Sequence, residues 1–560
     1  MSMVDSLQAK IQQSLFTSAE QARAAGELSF DELPDFVVEV PREKDHGDFA
    51  TNLALVLARK ARKSPRQIAE IIVRFFAREG TWVKNIEVAG PGFLNFHLDS
   101  GWLYQVIPHI ETSDGDYGSC SIGQGQKVQV EFVSANPTGL LHMGNARGAA
   151  LGDTIANLLD KVGFQVSREY YVNDAGNQIE NFARSLEARY LQQLGQEVPF
   201  PEDGYHGIDL IDTVKRVIAS VGDKYLGIDS ELRKEFLVKF ALQEKLDHIR
   251  RVLRQFGVEY DVWFSEQSLY DTGAIEATIR LLEQKGHLYE EEGALWLKTS
   301  NLGLDKDEVL VRSNGIPTYY AADIAYHKNK FDRGFTWVIN LWGADHHAHV
   351  GRMKAAMEAL GLDPDCLDVV VMQLVRLFSG GEIVRMSKRT GQYITLEELI
   401  EEVGVDAARY FFVMRSAASH LDFDLDLAKE ESSENPVYYV QYAHARICSI
   451  LRQAAGEGIS CKKASECQLE LLTDPSELEL IRKLADFPVI VREAALALEP
   501  HRLTRFAGEL AGLFHVFYTN CRVLTQEEEL RNARLALVNA ARITLRNLLQ
   551  LIGVKAPEKM

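Results

Sequence analysis

The chain has 560 residues, 46% of them hydrophobic and 25% charged, the proportions of a folded protein with about three to four domains. These proportions exclude a mainly disordered chain, a collagen-like fibre and a small disulfide-stabilised domain. The net charge of −19 argues against a general nucleic-acid binder, which would be basic. Residues 432–560 are nevertheless near neutral, with 16 basic and 15 acidic side chains, whereas residues 1–431 carry 45 and 65. A polyanionic partner at the C-terminal end is therefore allowed, although a solvated helical bundle gives the same balance.

The first 112 residues mix helix and strand patterns, and we expect them to form a small α+β domain. A turn at Gly90-Pro91-Gly92 precedes a strand pattern over residues 93–96, which would close this domain. Residues 113–126 are rich in Gly, Ser and Asp and are typical of a linker.

A strand–helix–strand pattern follows and predicts a parallel sheet. Residues 128–132 alternate as in a strand, residues 146–152 are mostly small residues of a helix, and residues 167–172 predict the next strand. Further strands are predicted at 294–298, 308–312, 337–342 and 369–375, with a helical insertion at about 180–256. We therefore expect a multidomain α/β protein, with a Rossmann-like catalytic domain over residues 127–431 and an all-α bundle over residues 432–560. Ligands of such sheets lie beyond the carboxyl ends of the strands, so the loop after Phe132 is the expected place for chemistry.

The first motif is SANPTGLLHMGN, residues 134–145, where a loop enters the predicted helix. A helix N-terminus favours anions, and Gly144 lets a ligand approach the backbone. His142 and Asn145 would then bind the phosphates of a nucleotide. Because so short a pattern recurs by chance, a His and an Asn that only cap the helix are the alternative.

The second motif is FSGGEIVRMSKRTG, residues 378–391, a basic loop flanked by glycines. Lys388 is a compact charge suited to a leaving pyrophosphate. Alone, this segment is equally consistent with a solvated loop, but the two motifs in this order on this fold pattern favour nucleotide chemistry.

These two motifs resemble the H-I-G-H and K-M-S-K-S signatures of class I aminoacyl-tRNA synthetases. Longer segments make the chain similar to the arginyl-tRNA synthetase family in particular. These segments are EFVSANP at 131–137, GVEYDVWFSE at 257–266, YYAADIAY at 319–326 and NPVYYVQYAHAR at 435–446. Residues 47–52 and 90–96 and the final Met560 extend the resemblance over nearly the whole chain.

The resemblance implies ATP-dependent activation of L-arginine and its transfer to tRNA(Arg), with activation that requires bound tRNA. It implies ATP contacts from His142, Gly144, Asn145, Met386, Ser387 and Lys388, of which His142, Asn145 and Lys388 would be catalytic. It assigns the amino acid's α-amino and carboxylate groups to Ser134 and Asn136. Glu131, Tyr319 and Asp323 would bind the guanidinium, a planar cation that carboxylates bind in bidentate fashion. Without the resemblance, Asp323 would be interpreted as a helix cap or a surface acid.

The resemblance also implies a tRNA-binding role for Tyr439, Tyr442 and Arg446, which share one face of a predicted helix. Unpaired bases stack on aromatic rings and Arg planes, although such a stripe is more commonly part of a core. Phe93 and Asn95 match an N-terminal contact to the tRNA elbow, and Met560 matches the family's C-terminal end.

Three positions depart from the family pattern. Asn145 replaces the second His of H-I-G-H, so its role would be binding and not acid–base chemistry. Arg385 replaces the first Lys of the basic loop. Gly343-Ala344 stands where some members have a Gln near the amino acid.

Residues 345–349, DHHAH, raise the question of a zinc site. The absence of a nearby Cys or second ligand pair in sequence argues against it, so we expect no resident metal. ATP chemistry still implies Mg²⁺, held mainly by phosphates.

Two kinds of alternative function remain. One is another enzyme, either a class I synthetase for a different amino acid or a small-molecule adenylyltransferase, and the helical bundle disfavours the latter. The other is a non-catalytic tRNA-binding scaffold, against which His142, Gly144, Asn136 and Lys388 argue. The six cysteines form no C-x-x-C pair, the apolar runs are short and the first residues lack a signal-peptide pattern. We therefore expect a cytoplasmic protein without a membrane segment, and a monomer because no long heptad repeat is present.

Overall fold

The computed structural model describes residues 2–41, 43–384 and 394–560. Its first part is an antiparallel sheet of order β1-β2-β4-β3, covered by helices. Its elements in chain order are α1 (Met3–Ala24), β1 (Val38–Glu39), β2 (Phe49–Thr51), α2 (Leu53–Ala61), α3 (Pro65–Phe75), β3 (Val83–Ala89), β4 (Phe93–Leu98) and α4 (Val106–Ser113).

The segment expected to be a linker also packs against the C-terminal part of the chain. Tyr117 is buried, and its hydroxyl donates a hydrogen bond of 2.6 Å to the carbonyl of Leu484. Asn547 donates to the carbonyl of Asp114 at 2.7 Å. Residues 113–126 therefore contact the helical bundle as well as connecting two domains.

A five-stranded parallel sheet of order β12-β11-β5-β6-β7 forms the centre of the molecule. The elements of this part of the chain begin with β5 (Lys127–Glu131), α5 (Met143–Lys161) and β6 (Gln165–Val172). Next come α6 (Asn177–Gln193), α7 (Ile208–Val221), α8 (Ser230–Gln255), β7 (Val262–Ser265), α9 (Gln267–Asp271) and α10 (Ala274–Gln284). The strands β8 (Leu288–Glu291), β9 (Ala294–Leu297) and β10 (Glu308–Val311) follow and form a separate antiparallel sheet of order β10-β9-β8. The last are α11 (Tyr319–Asp332), β11 (Trp337–Gly343), α12 (His347–Leu360) and β12 (Leu367–Met372). The strand order reverses between β5 and β11, the switch point where such sheets bind ligands.

Small residues in α5 bring that helix close to the sheet. A Cβ at Gly152 would lie 2.2 Å from the Phe132 ring, and one at Gly148 would lie 3.1 Å from the Met372 methyl group. The helix can therefore cross the sheet tightly and keep its N-terminus at the carboxyl end of β5.

The predicted strand over residues 369–375 is wrong in its extent. The chain forms β12 up to Met372 and then a new strand, β13 (Val375–Ser379), in a different sheet with β14 (Glu382–Val384) and β15 (Leu421–Asp424). Periodicity did not reveal the break, because both halves are apolar. Helices α13 (Leu396–Val403) and α14 (Val405–Val413) lie between β14 and β15, and α15 (Leu425–Lys429) follows β15 before the bundle.

The C-terminal part is a helical bundle, as predicted. Its helices are α16 (Pro436–Gly456), α17 (Pro475–Leu496), α18 (His501–Asn520) and α19 (Glu528–Ile552). The three parts together confirm the expected multidomain α/β fold. In the described part of the chain, no helix has the combination of length and apolar character needed to cross a membrane.

Candidate functional site

A cavity of about 2080 Å³ opens at the carboxyl ends of β5 and β11. Its volume is at least twice that of a typical single-ligand pocket, so it has room for more than one small molecule. Its lining brings together every described residue that the sequence assigned to a small substrate, namely Glu131, Ser134, Asn136, His142, Gly144, Asn145, Tyr319 and Asp323.

The backbone after β5 is strained where it enters this cavity. Val133 and Ser134 have φ values of 67° and 40°, the left-handed region that a β-branched residue such as Val133 rarely adopts. Two hydrogen bonds hold the turn, because the Ser134 hydroxyl donates to Glu131 Oε1 at 2.9 Å and accepts from the amide of Tyr171 at 3.1 Å. Glu131 is also ion-paired with buried Lys330 at 2.6 Å.

Helix α11 supplies two further predicted residues from its first turns. Tyr319 is 65% exposed at the cavity rim, and Asp323, one turn later, lies 3.0 Å from His349 Nε2. Gly343 and Ala344, the family departure, line the cavity without a polar side chain. His349 contacts Asp323 and His346 contacts Asp345, so two of the histidines considered for zinc have carboxylate partners.

Glu266 is a cavity residue that we did not single out from the sequence. It directly follows β7, is 7% exposed and lines the same cavity as Asp323. Burial, helped by the negative charge of Asp323, raises the pKa of Glu266 to about 7, and a hydrogen bond from Tyr171 opposes this rise. The rule that ligands bind beyond the ends of parallel strands, applied to β7 as it was to β5, would have found it.

His142 and Asn145 cap helix α5, as the structural alternative for this motif suggested. The amide of Gly144 donates to His142 Nδ1 at 3.1 Å, and the amide of His142 donates to Asn145 Oδ1 at 3.0 Å. Since Nδ1 accepts, the neutral ring carries its proton on Nε2. Desolvation by the cavity walls lowers the pKa of His142, which favours this neutral form. Capping therefore leaves one His142 N–H available as a donor.

The segments on both sides of the basic loop are joined to α5 or to the residues just before it. The amide of Leu396 donates to the carbonyl of Leu141 at 2.9 Å, and Arg147 donates to the carbonyl of Gln373, before β13, at 2.7 Å. Met386, Ser387 and Lys388 lie outside the described residues, so their assignments stay predictions.

Tyr439, Tyr442 and Arg446 lie together on α16, beside a second cavity of about 390 Å³. The two tyrosines line this cavity with His515 of α18, whose ring centroid is 5.1 Å from that of Tyr439. The Arg446 guanidinium lies over the rings of Tyr442 and Tyr518 at 5.5 and 5.0 Å. Tyr442 is 37% exposed, so the stripe is not a buried core. Sequence reasoning missed His515, because it lies in another helix.

The remaining predicted tRNA contacts differ in exposure. Phe93 and Met560 are exposed, whereas Asn95 is 4% exposed within β4. The C-terminal tail lies along α16, since His444 contacts the carbonyl of Pro557 at 2.9 Å.

No grouping of three or more His, Cys, Asp or Glu side chains suited to a metal ion occurs within residues 2–41, 43–384 and 394–560.

Comparison with known proteins covers all three parts of the chain. Residues 107–418 match the family model described as tRNA synthetases class I (R), catalytic domain. Residues 5–98 match the arginyl tRNA synthetase N terminal domain, and residues 440–560 match the DALR anticodon binding domain.

Full-length relatives are similarly named. The chain is 66% identical to an arginine–tRNA ligase of Moorella thermoacetica and 64% identical to one of Heliobacterium modesticaldum, in each case over 100% of both chains. Among solved structures, the Thermus thermophilus arginyl-tRNA synthetase aligns with a TM-score of 0.74 and 25% identity over 99% of this chain and 100% of that one.

Proposed function

Since the chain belongs to the class I arginyl-tRNA synthetase family, and so activates arginine with ATP and charges tRNA(Arg), we propose that the large cavity binds arginine at its acidic end and ATP at the N-terminus of α5. The observation that carries this proposal is the convergence of eight sequence-assigned residues on one cavity.

The arginine guanidinium binds between Asp323, Glu266 and the Tyr319 hydroxyl. Support comes from charge, because Glu131 already has Lys330 as its cation, whereas no basic side chain in the described part of the chain lowers the pKa of Glu266. A guanidinium beside Glu266 and Asp323 relieves the repulsion between these carboxylates. Glu131, whose charge is paired with Lys330, also accepts a hydrogen bond from the guanidinium, and Ser134 and Asn136 bind the α-amino and carboxylate groups.

ATP binds with its phosphates at the N-terminus of α5. The His142 Nε2–H and the positive end of a 19-residue helix favour negative charge there, and Gly144, which has no side chain, lets the phosphates approach. Asn145 acts by binding and capping. Lys388, with Met386 and Ser387, approaches the phosphates from the basic loop. Mg²⁺ enters with ATP as part of the substrate, since phosphate oxygens suit it better than the described side chains do.

Calorimetry of arginine binding to Asp323→Asn tests the arginine end. We expect the binding free energy of arginine to weaken by about 2–5 kcal/mol, because a charge-paired contact is lost. The KM for ATP, measured by pyrophosphate exchange, should be unchanged. Asp332→Asn is the matched control, since Asp332 lies on the same helix and pairs with Lys328 away from the cavity. Unchanged arginine affinity in Asp323→Asn would place the specificity pocket elsewhere.

The tRNA anticodon binds at Tyr439, Tyr442 and Arg446, Phe93 contacts the tRNA elbow, and Met560 is a further tRNA contact. The exposed Tyr442 ring under the Arg446 guanidinium supports base stacking, which is worth about 1–3 kcal/mol per base. Asn95, mostly covered in β4, lies two residues along the same strand face as Phe93 and contacts the elbow beside it.

Activation of arginine depends on bound tRNA, and the protein is a cytoplasmic monomer. The dependence is supported by the joining of the bundle to the catalytic helix, since Asn157 of α5 donates to the carbonyl of Leu551 of α19 at 3.1 Å. The proposed cytoplasmic location is supported by the six cysteines, which all lie in the described part of the chain and none of which is in a disulfide. Sedimentation of the purified chain tests the monomer, and an exchange assay without tRNA tests the dependence.

A further inference from the structure

A row of buried polar side chains lies beneath the arginine end of the cavity. Lys330 and Asn340 are fully buried, and His327 is 3% exposed. Lys330 Nζ donates to Glu131 Oε2 at 2.6 Å and to Asn340 Oδ1 at 2.8 Å. Asn340 Nδ2 and His327 Nε2 are 2.7 Å apart, and His327 Nδ1 is 2.8 Å from the carbonyl of Asp323. The row therefore connects Glu131 to the backbone of Asp323 without a break.

The lysine fixes the direction of every hydrogen bond in this row. Because an ammonium group only donates, the oxygen of the Asn340 amide faces Lys330 and its NH₂ group faces His327. His327 Nε2 must then accept, so its Nδ1 carries the proton and donates to the Asp323 carbonyl. Burial, together with the positive charge of Lys330, lowers the pKa of His327 well below its usual value, which favours this neutral tautomer. Each polar group in the row is therefore fixed by its neighbours as either a hydrogen-bond donor or an acceptor.

Three separate elements meet in this row. Glu131 of β5 and Asn340 of β11 are paired directly across the two strands at the switch point of the sheet. Lys330 and His327 come from α11, the helix that also carries Asp323. The row therefore joins the helix to the sheet at the point where the two carboxylates face the cavity.

We propose that Lys330, Asn340 and His327 act as positioning residues that hold Glu131 and the Asp323 turn of α11 in the relative arrangement that selects arginine. This inference rests on the proposed function, since it takes Glu131 and Asp323 as arginine-site residues. His327 also lines the cavity, whereas Lys330 and Asn340 do not, and the role proposed for all three is to fix the positions of the two carboxylates. Their contribution is geometric, because the charge of Glu131 is already neutralised by Lys330. The paired N–H groups of the arginine guanidinium bind well only when both carboxylates are correctly placed, so a displacement of Glu131 or Asp323 weakens binding.

The group best suited to test this is His327, which is neutral and can be replaced without leaving an unpaired charge. His327→Gln keeps an acceptor for Asn340 and a donor for the Asp323 carbonyl, whereas His327→Leu removes both. Two controls separate positioning from general damage. Lys328→Gln removes an ion pair with Asp332 on the outer side of the same helix, and Leu237→Ala destabilises the separate core of the helical insertion.

Steady-state ATP–pyrophosphate exchange with tRNA(Arg) present measures the KM for arginine, the KM for ATP and kcat for each variant. We expect His327→Leu to raise the KM for arginine about tenfold or more, with the KM for ATP within about twofold of the unaltered protein. His327→Gln should restore the KM for arginine to within about threefold. Neither control should change the KM for arginine.

The inference is overturned if His327→Leu leaves the KM for arginine unchanged, whether or not kcat falls. If His327→Leu does not fold, His327→Asn decides the same question, because its amide is too short to reach both neighbours and should raise the KM for arginine. Failure of the proposed function looks different, since the unaltered protein would then show no arginine-dependent exchange.

Discussion

Arginine affinity should rise with pH through about 7, because Glu266 must be ionised to bind the guanidinium. The pKa of Glu266 is raised to about 7 by burial and by Asp323. The carboxylate is then about one-tenth ionised at pH 6 and about nine-tenths ionised at pH 8. Since apparent affinity scales with the competent fraction, the dissociation constant for arginine should be about tenfold larger at pH 6 than at pH 8.

Calorimetric titration of arginine at several pH values, with tRNA(Arg) present, measures this effect. Glu266→Gln should bind weakly at every pH and lose the slope, whereas Glu283→Gln, an exposed residue of α10, should keep it. Other groups that face Glu266 are Asp323, Asp174, Tyr171 and Tyr270. His349, which pairs with Asp323, is checked with His349→Gln, which should also keep the slope. A tenfold pH effect that survives in Glu266→Gln would refute this reasoning.

The same carboxyl group predicts the sign of a stability change. Because its pKa is raised from 4.5, the folded state holds a proton that the unfolded state releases between about pH 4.5 and 7. The protein without arginine should therefore lose up to about 3 kcal/mol of unfolding free energy from this group as pH rises across that window. Denaturant unfolding of Glu266→Gln should lack this loss, and an equal loss in the variant would assign it to other groups.

Three further substitutions test separate parts of the account. Lys388→Ala should lower kcat for adenylate formation more than it changes arginine affinity, because its charge acts on the developing pyrophosphate, and a normal exchange rate would remove Lys388 from the mechanism. Glu131→Gln should raise the KM for arginine and also cost about 3–5 kcal/mol of stability in urea unfolding, since it leaves the buried Lys330 without its anion; full stability would mean that the ion pair is dispensable. If Arg446 stacks on a base, Arg446→Ala should weaken tRNA binding by about 1–3 kcal/mol without changing how steeply the affinity falls with salt concentration. If Arg446 contacts the tRNA backbone, the variant should reduce that salt dependence by about one phosphate contact. Unaltered binding in filter assays would exclude both roles.

The sequence predicted the parts of the site that depend on local patterns. The strand before Phe132, the small residues of α5 and the capping of that helix by His142, which accepts from the Gly144 amide, all follow from residues close together in the chain. The rule that ligands bind beyond the carboxyl ends of parallel strands then predicted where the cavity lies. Changes in the periodicity of apolar residues along the chain predicted the three domains. The break between β12 and β13 was not predicted, because it depends on which sheet each strand joins.

The buried charges could not be predicted, because their partners are distant in sequence. Glu131 meets Lys330 across about 200 residues, and His515 joins Tyr439 from another helix. Glu266 was missed because strand β7, which it follows, was not predicted, and its raised pKa depends on burial and on Asp323. Sequence patterns therefore predict the helices and strands, whereas contacts between side chains of different elements are known only from the folded structure.

The central claim is that this cavity activates arginine and that bound tRNA is required. ATP–pyrophosphate exchange, run with each amino acid in turn, with and without tRNA(Arg), tests it most directly. We predict exchange with arginine only, near background without tRNA and recovered when tRNA(Arg) is added. Full exchange without tRNA would contradict the dependence, and exchange driven by a different amino acid would contradict the assignment of the cavity.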